Sequence, residues 1–140
     1  MRIPLIILFF VIAASFAFSF DAQSQTRTVF SGIPSIKVSE GGTERTAEAL
    51  NRSQAANLGT VISKISGKYY WATRGNKEMV SLVSGTFVTY LALDGSGYVR
   101  VIDPNVKAET PLMSPTEAKF DYVEHLLLGL RSVSYYGKMQ

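Results

Sequence analysis

Apolar and polar residues alternate through the middle of the chain. Between Thr60 and Ile102, valine, isoleucine, threonine, tyrosine and phenylalanine are abundant, and turn-forming residues recur every few positions. The connections between these segments are short, so neighbouring strands are expected to be antiparallel and to form a meander. The pattern predicts five strands: Val61–Ser66, Lys68–Thr73, Glu78–Val83, Thr86–Leu93 and Tyr98–Ile102.

Glycine-containing segments separate the predicted strands. Ser66-Gly67 and Arg74-Gly75-Asn76-Lys77 each predict a turn, whereas Ser84-Gly85 fits either a turn or a bulge. Asp94-Gly95-Ser96-Gly97 is the strongest hairpin signal in the chain. This glycine-rich segment joins two strands, and a phosphate-binding loop would need a helix to begin after it.

Two other segments have the character of helices. Thr43–Leu58 is rich in helix-favouring residues, with Thr43 as its N-cap. Ser114 predicts the start of a second helix that runs to about Arg131, because Pro115 and Glu117 complete the N-terminal signature. At helical spacing, its apolar face comprises Phe120, Val123, Leu126, Leu127 and Leu130.

These elements together predict an α+β fold. We expect an antiparallel β-meander of four to five strands, with an N-terminal helix and a C-terminal amphipathic helix packed on one face. Residues 25–42 are rich in serine, threonine and glycine, which predicts a flexible leader with Val29-Phe30 or Ile36–Val38 as a short edge strand. Residues 43–140 are then a single small domain.

The N-terminus resembles a targeting segment. Arg2 precedes an apolar run from Pro4 to Phe20, and polar residues follow. The pattern predicts a signal peptide over residues 1–24, cleaved after Ala22-Gln23-Ser24, and hence a secreted or periplasmic protein. The alternative is an uncleaved membrane anchor, although the run is at the short end of what spans a bilayer.

Composition excludes several classes of function. The chain contains no cysteine and one histidine, so disulfides, thiol chemistry and a structural zinc site are not expected. The net charge of +3 is too small and too scattered to predict nucleic-acid binding. We therefore predict no metal and no cofactor.

The segment Gly67–Gly75, GKYYWATRG, contains the only tryptophan. Side chains alternate across a strand, so Trp71 is expected to face the core together with Val99 and Val101. The opposite face would present aromatic and cationic side chains, a combination that is common at contact sites. The predicted binding residues are Lys68, Tyr70, Arg74, Tyr98 and Arg100.

The catalytic signal is weaker. On a helix, Asp121 and His125 would lie one turn apart, a spacing at which a carboxylate can orient an imidazole, but no serine is evidently placed with them. The sequence thus predicts an exported, non-enzymatic binding or accessory domain, whose partner is a protein or an anionic or glycan component of the cell envelope. The alternatives are a small exported enzyme that uses His125 and Asp121, and a self-associating structural subunit.

Overall fold

A computed structural model describes residues 25–102 and 120–140. None of the helical segments in these two ranges is long and apolar enough to cross a bilayer. The only α-helix among them, α1, spans Arg52–Asn57, and a 3-10 turn spans Ala72–Arg74. The strands are β1 (Arg27–Gly41), β2 (Glu44–Ala49), β3 (Thr60–Ile65), β4 (Lys68–Trp71), β5 (Lys77–Ser84), β6 (Phe87–Ala92), β7 (Gly97–Ile102), β8 (Tyr122–Leu128) and β9 (Arg131–Met139).

The strands form one antiparallel sheet that closes on itself. Its order is β2-β1-β3-β4-β5-β6-β7-β8-β9, and an additional pairing joins β1 to β9. Eight strands, β1 and β3 to β9, therefore form a closed barrel. Strand β1 is long enough to pair with β3 through its first half and with β9 and β2 through its second half. Strand β2 lies outside the closed ring.

The barrel interior is filled by side chains, as expected for eight strands. Trp71, Ile62 and Val99 are entirely buried, and Val101 lies in the same core. The predicted inward orientation of Trp71, Val99 and Val101 is confirmed. The remaining members of this core are Phe30, Met79, Tyr90, Ala92 and Tyr122.

The alternating direction of the strands gives the barrel two distinct ends. We call the end at which β1 begins the entry end. The β3–β4 turn, which follows Ile65, and the β5–β6 turn, which follows Ser84, lie at the same end. At the far end, the β6–β7 turn and the β8–β9 turn lie together, since Leu127 N–H donates to the carbonyl of Ser96 at 2.8 Å. The 3-10 turn between β4 and β5 lies at the far end as well.

The predicted α+β class is wrong, because both predicted helices are mainly strands. In Thr43–Leu58, residues Glu44–Ala49 form β2, and only Arg52–Asn57 is helical. The Gly42-Thr43 turn brings β2 onto β1 with Gly41 opposite Glu44, and this pairing outweighs the helix propensity of the segment. The helix cap is Asn51, whose Oδ1 accepts from Gln54 N–H at 3.0 Å, rather than Thr43.

The predicted C-terminal helix is wrong for the same physical reason. Tyr122–Leu128 and Arg131–Met139 form a hairpin, and the predicted start of the helix at Ser114 lies outside the described residues. Gly129 has a φ of +67°, which begins a two-residue turn before Arg131. Leu126 and Leu127 of the predicted stripe lie instead on opposite faces of β8, and Leu130 lies in the turn.

Residues 25–42 are not a flexible leader, because Arg27–Gly41 is the strand that closes the barrel. The five predicted strands correspond to β3 to β7, with small differences at their ends. Ser84-Gly85 leads into a turn and not a bulge, since Ser84 pairs with Phe87 across the hairpin. The predicted signal peptide, residues 1–24, lies outside the described residues.

Candidate functional site

Tyr98 and Arg100 lie on the outer face of the barrel, as the sequence predicts. Strand β7 alternates between buried Val99 and Val101 and the outward pair Tyr98 and Arg100. On the neighbouring strand β8, His125 lies opposite Tyr98. Strand order therefore places a histidine beside the predicted aromatic and cationic residues.

The guanidinium group of Arg100 is held between two aromatic rings. Its Cζ lies 5.6 Å from the centre of the Tyr98 ring and 6.0 Å from that of Phe87. Its Nε donates to Thr89 Oγ1 at 3.3 Å. Within the described part of the chain, no carboxylate lies within ion-pair distance of Arg100. The terminal nitrogens are thus positioned, and no described residue supplies them with a counter-charge.

His125 continues this arrangement along β8. Its ring stacks on Tyr98, with centroids 5.2 Å apart and an interplanar angle of 27°. Its Nδ1 is 2.7 Å from the hydroxyl oxygen of Ser134 on β9, and the tautomer decides which atom donates. The result is a continuous polar and aromatic surface across β7, β8 and β9.

These residues line a cavity on the outside of the barrel, which we call the outer cavity. Its volume is about 330 Å³, within the range of small-ligand sites. Its lining residues include Glu40, Phe87, Tyr98, Arg100, Ile102, Phe120, Asp121, Val123, His125, Ser134 and Tyr136. Aromatic rings and one guanidinium group thus surround a space large enough for a small molecule or a side chain of a partner.

Both carboxylates among the described lining residues of the outer cavity are already engaged. Glu40 lies 3.0 Å from Arg45, and Asp121 lies 3.2 Å from Lys138. Asp121 also accepts a hydrogen bond from the backbone N–H of Met139 at 3.1 Å. Arg100 is consequently the charged group in the cavity wall that lacks an opposite charge among the described residues.

Lys68 and Tyr70 do not share this surface. They lie on β4, and β5 and β6 separate β4 from β7 in the sheet. Lys68 forms an ion pair with Glu78 at 3.1 Å, and this hydrogen bond raises the pKa of the lysine. The predicted five-residue face is therefore divided around the barrel.

Arg74 points into the far end of the barrel. Its Nη2 lies 2.7 Å from Glu124 Oε2 and 3.3 Å from the carbonyl oxygen of Leu58. Its guanidinium also lies 5.8 Å from the ring centre of Tyr135. This residue connects the 3-10 turn, the segment after α1 and strand β8, which is a structural role.

Glu124 is a buried carboxylate in the barrel interior. Its Oε1 accepts from Trp71 Nε1–H at 2.9 Å, and its exposed fraction is zero. Burial raises the pKa of Glu124, although the Arg74 guanidinium opposes the shift. Burial likewise raises the pKa of the nearby Tyr122. The hydroxyl groups of Thr60 and Tyr122 are also buried here, and Thr60 lowers the pKa of both Glu124 and Tyr122 in opposition to burial.

The Asp121–His125 arrangement expected on a helix is absent, because β8 is a strand. Asp121 binds Lys138 and Met139, whereas the Nδ1 atom of His125 contacts Ser134. Sequence reasoning missed Ser134 because its proximity depends on the β8–β9 register, in which His125 pairs with Ser134. Across residues 25–102 and 120–140, no group of three or more metal-ligating side chains is gathered.

Comparisons with known proteins give no relationship for this chain. No protein-family model matches it, and neither does any curated protein or solved structure.

Proposed function

We propose that this protein is a non-enzymatic binding domain that holds an anionic group of its partner in the outer cavity. The observation that carries the proposal is the state of Arg100, which lies between two rings and has no counter-charge among the residues that the structure describes. A guanidinium group presents a rigid set of donors that matches a carboxylate or a phosphate. Phe87, Phe120 and Tyr136 supply apolar walls for the part of the partner attached to the anion.

The partner class follows the sequence analysis: a protein or an anionic or glycan component of the cell envelope. Tyr98 is not an open stacking platform, because His125 and Arg100 contact its ring. Its role is to orient Arg100, and the apolar contact falls to the other rings of the cavity. Of the five predicted binding residues, we retain Tyr98 and Arg100 for this site.

Export remains part of the proposal and rests on the N-terminal sequence. The predicted cleavage leaves Gln25 as the first mature residue, two residues before β1 begins at Arg27. N-terminal sequencing of the protein recovered from outside the cytoplasm tests this prediction. A mature chain that begins at Gln25 supports cleavage, and an intact Met1 supports the anchor.

Affinity capture with matched variants tests the binding proposal. The domain, an Arg100→Gln variant and a Lys68→Gln variant are immobilised and exposed to a solubilised envelope fraction. Lys68 is a suitable control because it is an exposed cation on a different part of the barrel. A partner retained by the unmutated domain and by Lys68→Gln, but lost by Arg100→Gln, supports the outer cavity. Equal retention by all three contradicts it.

The two alternative functions have less support. For the enzyme, the carboxylate of Asp121 is engaged by Lys138 and Met139 and does not orient His125. Self-association stays a prediction, and the concentration dependence of the mass in solution tests it.

A further inference from the structure

We propose that the entry end of the barrel docks on an anionic lipid bilayer. A shallow depression of about 300 Å³ lies at this end, beside the point where β1 begins. Among the described residues its lining is Gln25, Arg27, Lys64, Ser66 and Gly67, which include two cationic side chains and no acidic one. This depression is separate from the outer cavity, so the inference does not depend on the proposed function.

The two cations of the depression are direct cross-strand neighbours. Arg27 on β1 pairs in register with Lys64 on β3. Like charges placed opposite each other on adjacent strands destabilise a sheet unless an anion lies between them. Lys64 Nζ lies 5.0 Å from the ring centre of Tyr69, which holds the ammonium group in place. A lipid phosphate that binds both cations would remove their repulsion.

Among the described residues, the acidic side chains near this end are engaged by other cations. Lys68 is paired with Glu78 and Lys138 with Asp121, so these two acids are already engaged. In the described part of the chain, Arg27 and Lys64 have no carboxylate within ion-pair distance. The described residues of the entry end therefore carry a net positive charge, which is complementary to an anionic surface.

Apolar side chains protrude from the same end. Leu82 and Val83, near the β5–β6 turn, are 51% and 72% exposed. The pairing of β4 with β5 ends at Met79, so the end of this hairpin extends past β4. A protruding apolar tip beside cations fits the boundary between lipid headgroups and acyl chains. The apolar side chains would contact the acyl chains, and the cations would contact the anionic headgroups.

The bilayer is favoured over a protein partner by where the chain enters the barrel. Gln25 lies in the basic depression, and the apolar run Pro4–Phe20 precedes it in the sequence. If that run is retained as an anchor, the entry end is the part of the barrel adjacent to the membrane. If it is cleaved, the cations and the hairpin still form the contact.

The far end supplies a stringent comparison. Leu128 and Leu130 are 58% and 99% exposed there, so the far end exposes at least as much apolar surface through these two residues as the entry end does through Leu82 and Val83. Near these leucines, Glu40 is paired with Arg45 and Asp94 with Lys77, and Glu44 and Arg131 lie together beside Leu128. Non-specific adhesion through exposed leucines would use the far end, whereas charge-directed docking uses the entry end.

Co-sedimentation of residues 25–140 with vesicles of phosphatidylcholine, with and without phosphatidylglycerol, tests the proposal. We expect binding to the phosphatidylglycerol vesicles that weakens as salt is added. The Arg27→Ser/Lys64→Ser variant should lose about tenfold or more in affinity, because each cation near an anionic surface contributes substantially. The Leu82→Ser/Val83→Ser variant should also bind less.

Two controls make the result decisive. The Leu128→Ser/Leu130→Ser variant should bind like the unmutated protein. Inorganic phosphate at a concentration matched to the lipid should compete weakly, which distinguishes a bilayer from a free anion. Absence of vesicle binding, or a larger loss in the far-end variant than in Arg27→Ser/Lys64→Ser, overturns the proposal. Unchanged Trp71 fluorescence verifies that each variant is folded.

Discussion

Arg74 and Glu124 form an ion pair of 2.7 Å inside the barrel, although fifty residues separate them in the chain. The carboxylate is entirely buried, and the arginine side chain is 18% exposed. The pair connects the 3-10 turn at the far end to the wall of the barrel. A residue that sequence reasoning placed on a binding surface thus stabilises the fold.

Replacement of Arg74 should be strongly destabilising. Arg74→Ala leaves the carboxylate of Glu124 buried without its cation, which typically costs about 3–5 kcal/mol. Urea unfolding followed by Trp71 fluorescence measures this free energy. Lys68→Ala, which removes an exposed cation from its pair with Glu78, is the matched control and should change the stability little. Similar small effects of both variants would contradict the structural role of Arg74.

The buried carboxylate should make stability depend on pH. Burial raises the folded-state pKa of Glu124 above its ordinary value of 4.5. At pH values between these two pKa values, the folded protein therefore binds more protons than the unfolded chain. The contribution of Glu124 is therefore most favourable below about pH 4.5, and the free energy of unfolding falls as the pH rises through the folded pKa.

The Glu124→Gln variant tests this pH dependence, because glutamine is nearly isosteric and does not titrate. The unfolding free energies of the two proteins are measured across the acidic to neutral range. We expect the unmutated protein to lose stability relative to Glu124→Gln as the pH rises. A difference that is constant with pH, or that changes in the opposite direction, would show that burial does not control this group.

Close packing of β7 against β8 should make Gly97 difficult to replace. Gly97 has a φ of +151°, and a Cβ at this position would contact the carbonyl oxygen of His125. Gly97→Ala should cost at least about 2 kcal/mol in the free energy of unfolding, from backbone strain and the clash.

Gly95 provides the comparison for that variant. It lies in the same turn at a φ of +73°, but a Cβ there would meet nothing within 4 Å. Gly95→Ala should therefore cost only about 1 kcal/mol, the strain of the left-handed conformation. Thermal unfolding of the two variants side by side measures the difference. An equal cost would mean that the approach of β7 to β8 is looser than the structure shows.

Local signals predicted the centre of the fold and missed the strands that close it. Strands β3 to β7 alternate clearly and are joined by short turns, so each can be identified from its own residues. Closure depends on the pairing of β1 with β9, which joins Val38 to Ser134 across most of the chain. Glu124 further disguised β8, because a charged residue occupies an inward position of that strand.

The candidate site was predictable only in part, for a related reason. Alternation along one strand was enough to orient Tyr98 and Arg100 outward and Trp71 inward. Grouping them with Lys68 and Tyr70 required the strand order, which the sequence does not provide. The contact of His125 with Ser134 required the register of β8 and β9.

The most direct test of the central claim is an NMR titration of residues 25–140 with small probes. Benzoate and phenyl phosphate carry an anion on an apolar ring, and benzamidinium carries a cation on the same ring. We predict saturable shifts of the backbone amides of Tyr98, Arg100 and His125 with the two anions, little response to benzamidinium, and loss of the response in Arg100→Gln. Shifts scattered over the barrel, or equal responses to the anionic and cationic probes, would contradict an anion-binding outer cavity.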